Sequence, residues 1–226
     1  MTMPGPDHIV ACPKCKGLAR HRTYCSFYIL EGGRWTDGKR DTIGEPDLPS
    51  VVKCRHCAAC YWLAKAKQIG GESWGSPGEG EDRALANAEY VVAPTEQEYY
   101  PAIDAGLAKS PRQERELRIM AWWLRNDVFR KKPPAMGAHL PKAREPWRKN
   151  LEALTALLSE KNNQGRMFKA EVLRELGEFE AATKLLSEVK APGLAGAVRR
   201  LKALCDRRDV WVRRLESGEP GQQPGD

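Results

Sequence analysis

The sequence predicts an α+β protein, a small zinc-stapled β module followed by an all-α domain of helical hairpins. Three observations carry this expectation. Two Cys-x-x-Cys pairs, Cys12 with Cys15 and Cys54 with Cys57, fall in roughly the first quarter of the chain among residues that favour strands. A glycine-rich run occupies residues 70–80. Beyond it, apolar residues recur in steps of 3 and 4, the spacing of one helix face.

The 226 residues are 41% hydrophobic, enough for a real core and for two modules. No apolar run approaches the roughly 18 residues that span a bilayer, and the first residues lack the basic start and apolar middle of a signal peptide. The chain is therefore expected in the cytoplasm. There, seven cysteines, an odd count with two close pairs, point to metal binding and away from disulfides. The net charge of +7 is spread evenly, with an excess of +3 over residues 1–80, +2 over 81–144 and +2 over 145–226. A nucleic-acid footprint shows instead as a clustered basic face.

In chain order, residues 1–69 form the expected β module. Ile9-Val10-Ala11 lead into the first pair, and in Cys12-Pro13-Lys14-Cys15-Lys16-Gly17 the glycine suits a turn whose backbone N–H groups point at sulfur. Residues 20–40 read as a hairpin or meander. Tyr24, Phe27, Tyr28 and Ile29 favour strand, with turn signals at Glu31-Gly32-Gly33 and Asp37-Gly38. Val51-Val52-Lys53 deliver the chain to Cys54-Arg55-His56-Cys57, and Tyr61-Trp62-Leu63-Ala64 carry it away. Each pair lets two thiolates of one tight turn reach a single tetrahedral ion. The four together predict one structural Zn2+ per chain with no open coordination position.

From Cys12 to about Leu63 the chain resembles a zinc ribbon, in which two cysteine knuckles at hairpin tips share one zinc. It departs from that pattern in the 38 residues, 16–53, that separate the pairs. Cys60 extends the second pair into the start of an iron–sulfur-like run without its further Cys-Pro, and reads otherwise as a small buried residue. His56 is open between ligand, sulfur donor and exposed knuckle residue. Cys25 and Cys205 are expected in the core.

The Gly70–Gly80 run is the expected linker, residues 81–216 the helical domain and 217–226 a disordered tail. Thr95-Glu96-Gln97-Glu98 is a capping box, with Pro101 limiting or kinking its helix. Ser110-Pro111-Arg112-Gln113 starts the next helix, whose apolar face is Leu117, Met120, Ala121, Leu124 and Val128. Trp147, Leu151, Leu154 and Leu158 line another, and Leu194, Val198, Leu201, Leu204 and Cys205 a later one. Val210, Trp211 and Leu215 are expected in a last short helix.

Between those stripes, Ala170, Gly177, Phe179, Ala182 and Leu186 fall at the spacing of a tetratricopeptide unit's small residue, turn glycine, aromatic, second small residue and large apolar position. The stretch resembles one such repeat. Arg166 stands about where that family carries its first large aromatic, and Pro192 answers only loosely to its closing proline. The resemblance implies an antiparallel helical hairpin and a surface for a protein partner.

Trp122 and Trp123 are neighbours that point about 100° apart on a helix, so one is expected to leave the core for another module or a partner. Together with Arg115 and Arg118 they form the expected partner surface. Glu114, Glu116 and Asp127 are interleaved with Arg112, Arg115, Arg118 and Arg125, the pattern of a salt-bridged solvated face. There is no GxxxxGK[ST], no HExxH and no strand-linked GxGxxG, and the expectation is a non-catalytic binding or scaffold protein. The rival reading is nucleic-acid binding through Lys14, Lys16, Arg20, Arg22, Lys53 and Arg55 around the knuckles.

Overall fold

The computed structural model describes residues 2–46, 48–71, 87–138 and 145–215. The fold is α+β, with small sheets near the N-terminus and, among the described residues, six α-helices after them. Two compact units divide the chain, Met1–Leu30 with Thr42–Leu107 and Glu31–Asp41 with Ala108–Asp226. The expected modules therefore exchange material. Residues 31–41 join the helices, and the chain up to Leu107 stays with the sheets. The expected linker lies outside the described residues from 72 onward, as does the expected tail at 217–226.

In the first unit, β1 (Met3–Pro4) pairs with β4 (Tyr24–Ser26). β2 (His8–Ala11) runs between β3 (Leu18–His21) and β9 (Lys67–Gly71), antiparallel to both. The β-branched Ile9 and Val10 suit the middle strand, and both are buried. A second hairpin pairs β7 (Val51–Lys53) with β8 (Cys60–Trp62), Val52 opposite Tyr61.

One segment ties the hairpins together. The Arg20 N–H donates to Glu89 O at 2.8 Å and Val91 N–H to Arg20 O at 2.9 Å, while Lys53 N–H donates to Val92 O at 2.9 Å. The capping box of Thr95 and Glu98 then opens α1 (Glu96–Asp104), which continues through Pro101 to Asp104. Glu98 also pairs with Lys53, and Trp62 Nε1–H donates to Leu107 O at 3.1 Å. These contacts explain why 87–107 belong with the sheets.

The second unit contains α2 (Pro111–Lys131), α3 (Glu145–Leu157), α4 (Asn163–Leu176), α5 (Phe179–Ser187) and α6 (Ala195–Asp206), each packed on the next. Local signals set their ends. Ser110 Oγ accepts from Gln113 N–H at 3.3 Å, and Asn162 Oδ1 accepts from Gly165 N–H at 2.7 Å. α4 stops at Gly177, whose φ of 88° is the left-handed cap, and Glu178 N–H closes it on Leu173 O at 2.8 Å.

α4 lies between two cores. One gathers Ala170, Phe179, Ala182, Leu186, Leu201 and Leu204, so the helical hairpin around Gly177 packs through the expected residues. The other gathers Trp122, Trp147, Leu151, Leu154, Leu158 and Val172.

Two helical expectations are corrected. Val128 is 59% exposed, and the buried face of α2 is Leu117, Ala121, Trp122, Arg125 and Asn126. The C-terminal half of α2 turns a polar edge inward because it meets the turn of residues 36–39 and not an apolar partner. Residues 210–215 are extended rather than helical. Arg208 takes a φ of 51°, Asp209 Oδ1 accepts from Trp211 N–H at 3.0 Å, and β10 (Arg214–Leu215) pairs with β5 (Leu30–Trp35), which itself pairs with β6 (Arg40–Ile43). Left-handed Arg208 closes α6, the Asx turn at Asp209 redirects the chain, and a strand partner remote in sequence takes the place of the expected last helix.

Candidate metal centre

Each cysteine pair sits at the tip of a hairpin, between β2 and β3 and between β7 and β8. The two tips have the same backbone. Cys12 N–H donates to Gly17 O at 2.9 Å and Lys16 N–H to Cys12 O at 3.0 Å; Cys54 N–H donates to Ala59 O at 2.9 Å and Ala58 N–H to Cys54 O at 2.9 Å. The left-handed position follows the second cysteine directly, at Lys16 with φ 64° and at Ala58 with φ 56°. This moves the strained position one residue ahead of the glycine that the sequence suggested.

Gly17 serves two other purposes. Its N–H points at Cys15 Sγ, 3.4 Å away. A Cβ on it would lie 2.3 Å from Cδ2 of the exposed His56, so the imidazole covers Gly17.

The four Sγ atoms of Cys12, Cys15, Cys54 and Cys57 all lie within 4.8 Å of one another. Two of the cross-pairs are Cys15–Cys54 at 3.5 Å and Cys12–Cys57 at 3.8 Å, each joining the first cysteine of one tip to the second of the other. A tetrahedral ion with bonds of about 2.3 Å to sulfur requires edges of about 3.8 Å. The donor set and its spacing therefore fit a four-coordinate metal.

Cys12 and Cys54 are buried over Val52 and Tyr61, while Cys15 is exposed and Cys57 half-buried. At Cys15 the Gly17 N–H favours the thiolate, but the neighbouring sulfurs outweigh it and the thiol is pushed up to about 12. Burial, reinforced by the four cysteines, also pushes the Tyr61 phenol up to about 12. Four sulfurs this close resist ionising together unless a cation holds them.

Cys60 and His56 stand apart from the four-sulfur group. Cys60 is half-buried on β8 opposite Lys53, its thiol raised first by burial and then by Glu98. Cys205 is buried as expected, but Cys25 is exposed, because β4 has only the short β1 as partner.

Of the expected partner surface, Trp122 is enclosed in the second unit, and Arg115, Arg118 and Trp123 are half-buried. Trp122 is fully buried and donates from Nε1 to Glu175 Oε2 at 2.7 Å. Trp123 is half-buried, its Nε1–H on Asp37 O at 3.0 Å. Arg118 bonds Glu114 at 2.7 Å and Asn150 at 3.3 Å, and Arg115 is half-buried. Sequence reasoning missed the buried charges beside these rings, Asp37, Glu171, Arg174, Glu175 and Asp209. Asp37-Gly38 read only as a turn, and nothing local marks an acid as buried.

Gly71-Glu72-Ser73-Trp74-Gly75 spells the G-x-S-x-G of a nucleophile elbow. That motif works at a strand-to-helix turn above a parallel sheet. Here β9 pairs antiparallel with β2, and residues 72–75 lie outside the described residues. No described helix is long and apolar enough to cross a membrane. No family model, curated protein or solved structure matches the chain.

Proposed function

We propose that Cys12, Cys15, Cys54 and Cys57 hold one structural Zn2+, and that the chain is a non-catalytic binding protein whose helical unit engages a protein partner. The observation that carries the metal reading is the pair of matching hairpin tips with their four sulfurs within 4.8 Å. When bound, zinc supplies a cross-link between the two hairpins and no open position for chemistry. The chain's own residues do the rest. Gly17 N–H stabilises one sulfur, and Val52 and Tyr61 wall the buried side of the site.

For the partner, a succession of helices with a hairpin closed at Gly177 is the arrangement by which tetratricopeptide-like arrays present a surface. The charge around the knuckles favours protein over nucleic acid. Arg20 pairs with Asp7 at 3.7 Å, Arg55 with Glu89 at 3.1 Å, and Lys53 with Glu98. Three of the basic side chains that could meet phosphates already face carboxylates, which weakens an electrostatic footprint.

Elemental analysis is expected to return about one zinc per chain, with loss of the first unit's fold in a strong chelator. No zinc, or iron with sulfide, would overturn the metal reading. Affinity purification from the native cell followed by mass spectrometry tests the partner. Salt-dependent binding of generic DNA or RNA would favour the nucleic-acid alternative.

A further inference from the structure

The second unit buries four carboxyl groups, Asp37, Glu171, Glu175 and Asp209, none more than 1% exposed. Three of them face an arginine. Asp37 pairs with Arg130, Glu171 takes two bonds from Arg174 at 2.6 and 2.8 Å, and Asp209 takes one from Arg213 at 2.8 Å. Glu175 has instead two uncharged donors, Trp122 Nε1–H on Oε2 at 2.7 Å and Asn126 Nδ2–H on Oε1 at 2.9 Å. Arg174, its neighbour on α4, also donates to the carbonyls of Asp209 and Trp211.

Asn126 Nδ2 also donates to Asp37 Oδ2 at 2.9 Å. One amide nitrogen therefore sits between the two carboxyls, and their bonded oxygens are no farther apart than the two bond lengths combined. Two anions this close in a site closed to water repel strongly, which favours keeping one proton on the pair. Burial pushes Asp37 up against the pull of Arg130 and pushes Glu175 well up against the pull of Arg174, and Glu171 raises both further.

Asp37 is also the anchor of the hairpin turn. Besides Asn126 and Arg130, its carbonyl accepts from Trp123 Nε1–H, and Gly38 lies against the Phe168 ring, which a Cβ there would meet at 2.5 Å. Lys39 adds an ion pair to Asp127 at 2.7 Å. The turn is thus held largely by polar groups, whose strength depends on their charge state.

We propose that the pair of Asp37 and Glu175 carries one proton while the turn of residues 36–39 is docked, and that loss of this proton as the pH rises releases the turn from α2 and α4. Release uncovers Trp123, Asn126 and Arg130, of which tryptophan and arginine are types that binding surfaces favour. The other groups facing the pair do not replace the proton. On α2, Arg130 is committed to Asp37 and Asp127, and Arg125 stacks on Phe129 at 4.8 Å. On α4, Glu171 and Arg174 form their own pair, and α6 adds only the Cys205 thiol near them. From the extended segment come Asp209 and Arg213, again paired, while the buried residues of α3 and α5 include no ionisable side chain.

Hydrogen exchange of the full chain between about pH 6 and about pH 10, corrected for intrinsic rates, tests this. Protection of Gly38 and Lys39 is expected to fall by about tenfold or more across that range while the amides of 172–175 in α4 hold. Glu175→Gln, neutral throughout, should abolish the fall. An infrared difference spectrum gives a second readout, since a protonated carboxyl band should vanish on raising the pH in the wild type alone. Protection that stays flat with pH, equal loss in α4, an unchanged fall in Glu175→Gln, or no carboxyl band would each overturn the proposal.

Discussion

The indole N–H of Trp122 donates to Oε2 of Glu175 at 2.7 Å, and both side chains are fully enclosed in the helical unit. The bond joins α2 to α4 across the core that also holds Phe168, whose ring meets Trp122 edge-on at 6.5 Å. Trp122→Phe would keep most of that packing and leave Oε2 without its donor. The expected loss is about 1–3 kcal/mol. It should appear as a lower urea midpoint at unchanged slope; an unaltered midpoint would remove the bond from the stability of the unit.

Gly177 isolates a backbone effect. Its φ is 88°, and a Cβ built there meets nothing within 4 Å. Gly177→Ala is therefore expected to cost about 1–2 kcal/mol from left-handed strain alone. Thermal unfolding of the variant measures it, and a wild-type midpoint would mean that the cap relaxes freely.

Gly17 makes the opposite case, a steric one. A methyl group there would collide with the His56 ring at 2.3 Å, so Gly17→Ala should loosen the first hairpin tip and weaken metal retention against a chelator. The double variant Gly17→Ala, His56→Ala should recover most of the retention. Failure of the second change to help would show that the glycine is needed for the backbone itself.

The cysteines are expected to separate into classes. Cys54→Ser should lose the metal, since a structural four-sulfur site rarely tolerates loss of a ligand. Cys60→Ser should keep it, because Cys60 lies outside the four-sulfur group. In the metal-loaded protein a thiol reagent should modify the exposed Cys25 quickly and the buried Cys205 slowly. Metal content and mass spectrometry of the labelled chain read all three.

Acid should act through His21, which lies across β2 and β3 from His8. Burial, with His8 beside it, holds its imidazole below the ordinary 6.5, against the pull of Asp7. The folded protein thus resists a proton that the unfolded chain accepts. Its contribution to stability is complete above about pH 6.5 and is lost as the pH falls through that value toward the lower folded pKa. His21→Gln should flatten this part of the acid profile, and equal acid slopes in variant and wild type would rule His21 out as its source.

Much of this was legible in residues whose meaning is local. The cysteine spacing singled out four residues whose sulfurs the fold brings within 4.8 Å of one another. Thr95, Ser110 and Gly177 marked helix ends, and the stripes at Trp147–Leu158 and Ala170–Leu186 are buried as their periods require. Val128 and the stretch 210–215 were misleading for one reason. Their neighbours are the turn of residues 36–39 and β5, distant in sequence, and periodicity carries no information on which remote partner covers a face.

By itself the sequence determined the α+β class, the two hairpin tips that bear the cysteines and the helical hairpin at Gly177, because spacing, capping and turn chemistry act over a few residues. Only the tertiary structure decided that residues 31–41 belong with the helical unit, that the indoles of Trp122 and Trp123 bond Glu175 and Asp37 inside it, and that Asp37 and Glu175 share one amide. Burying a carboxylate depends on partners from separate parts of the chain that compensate its lost hydration. That compensation exists only once the chain has closed on itself.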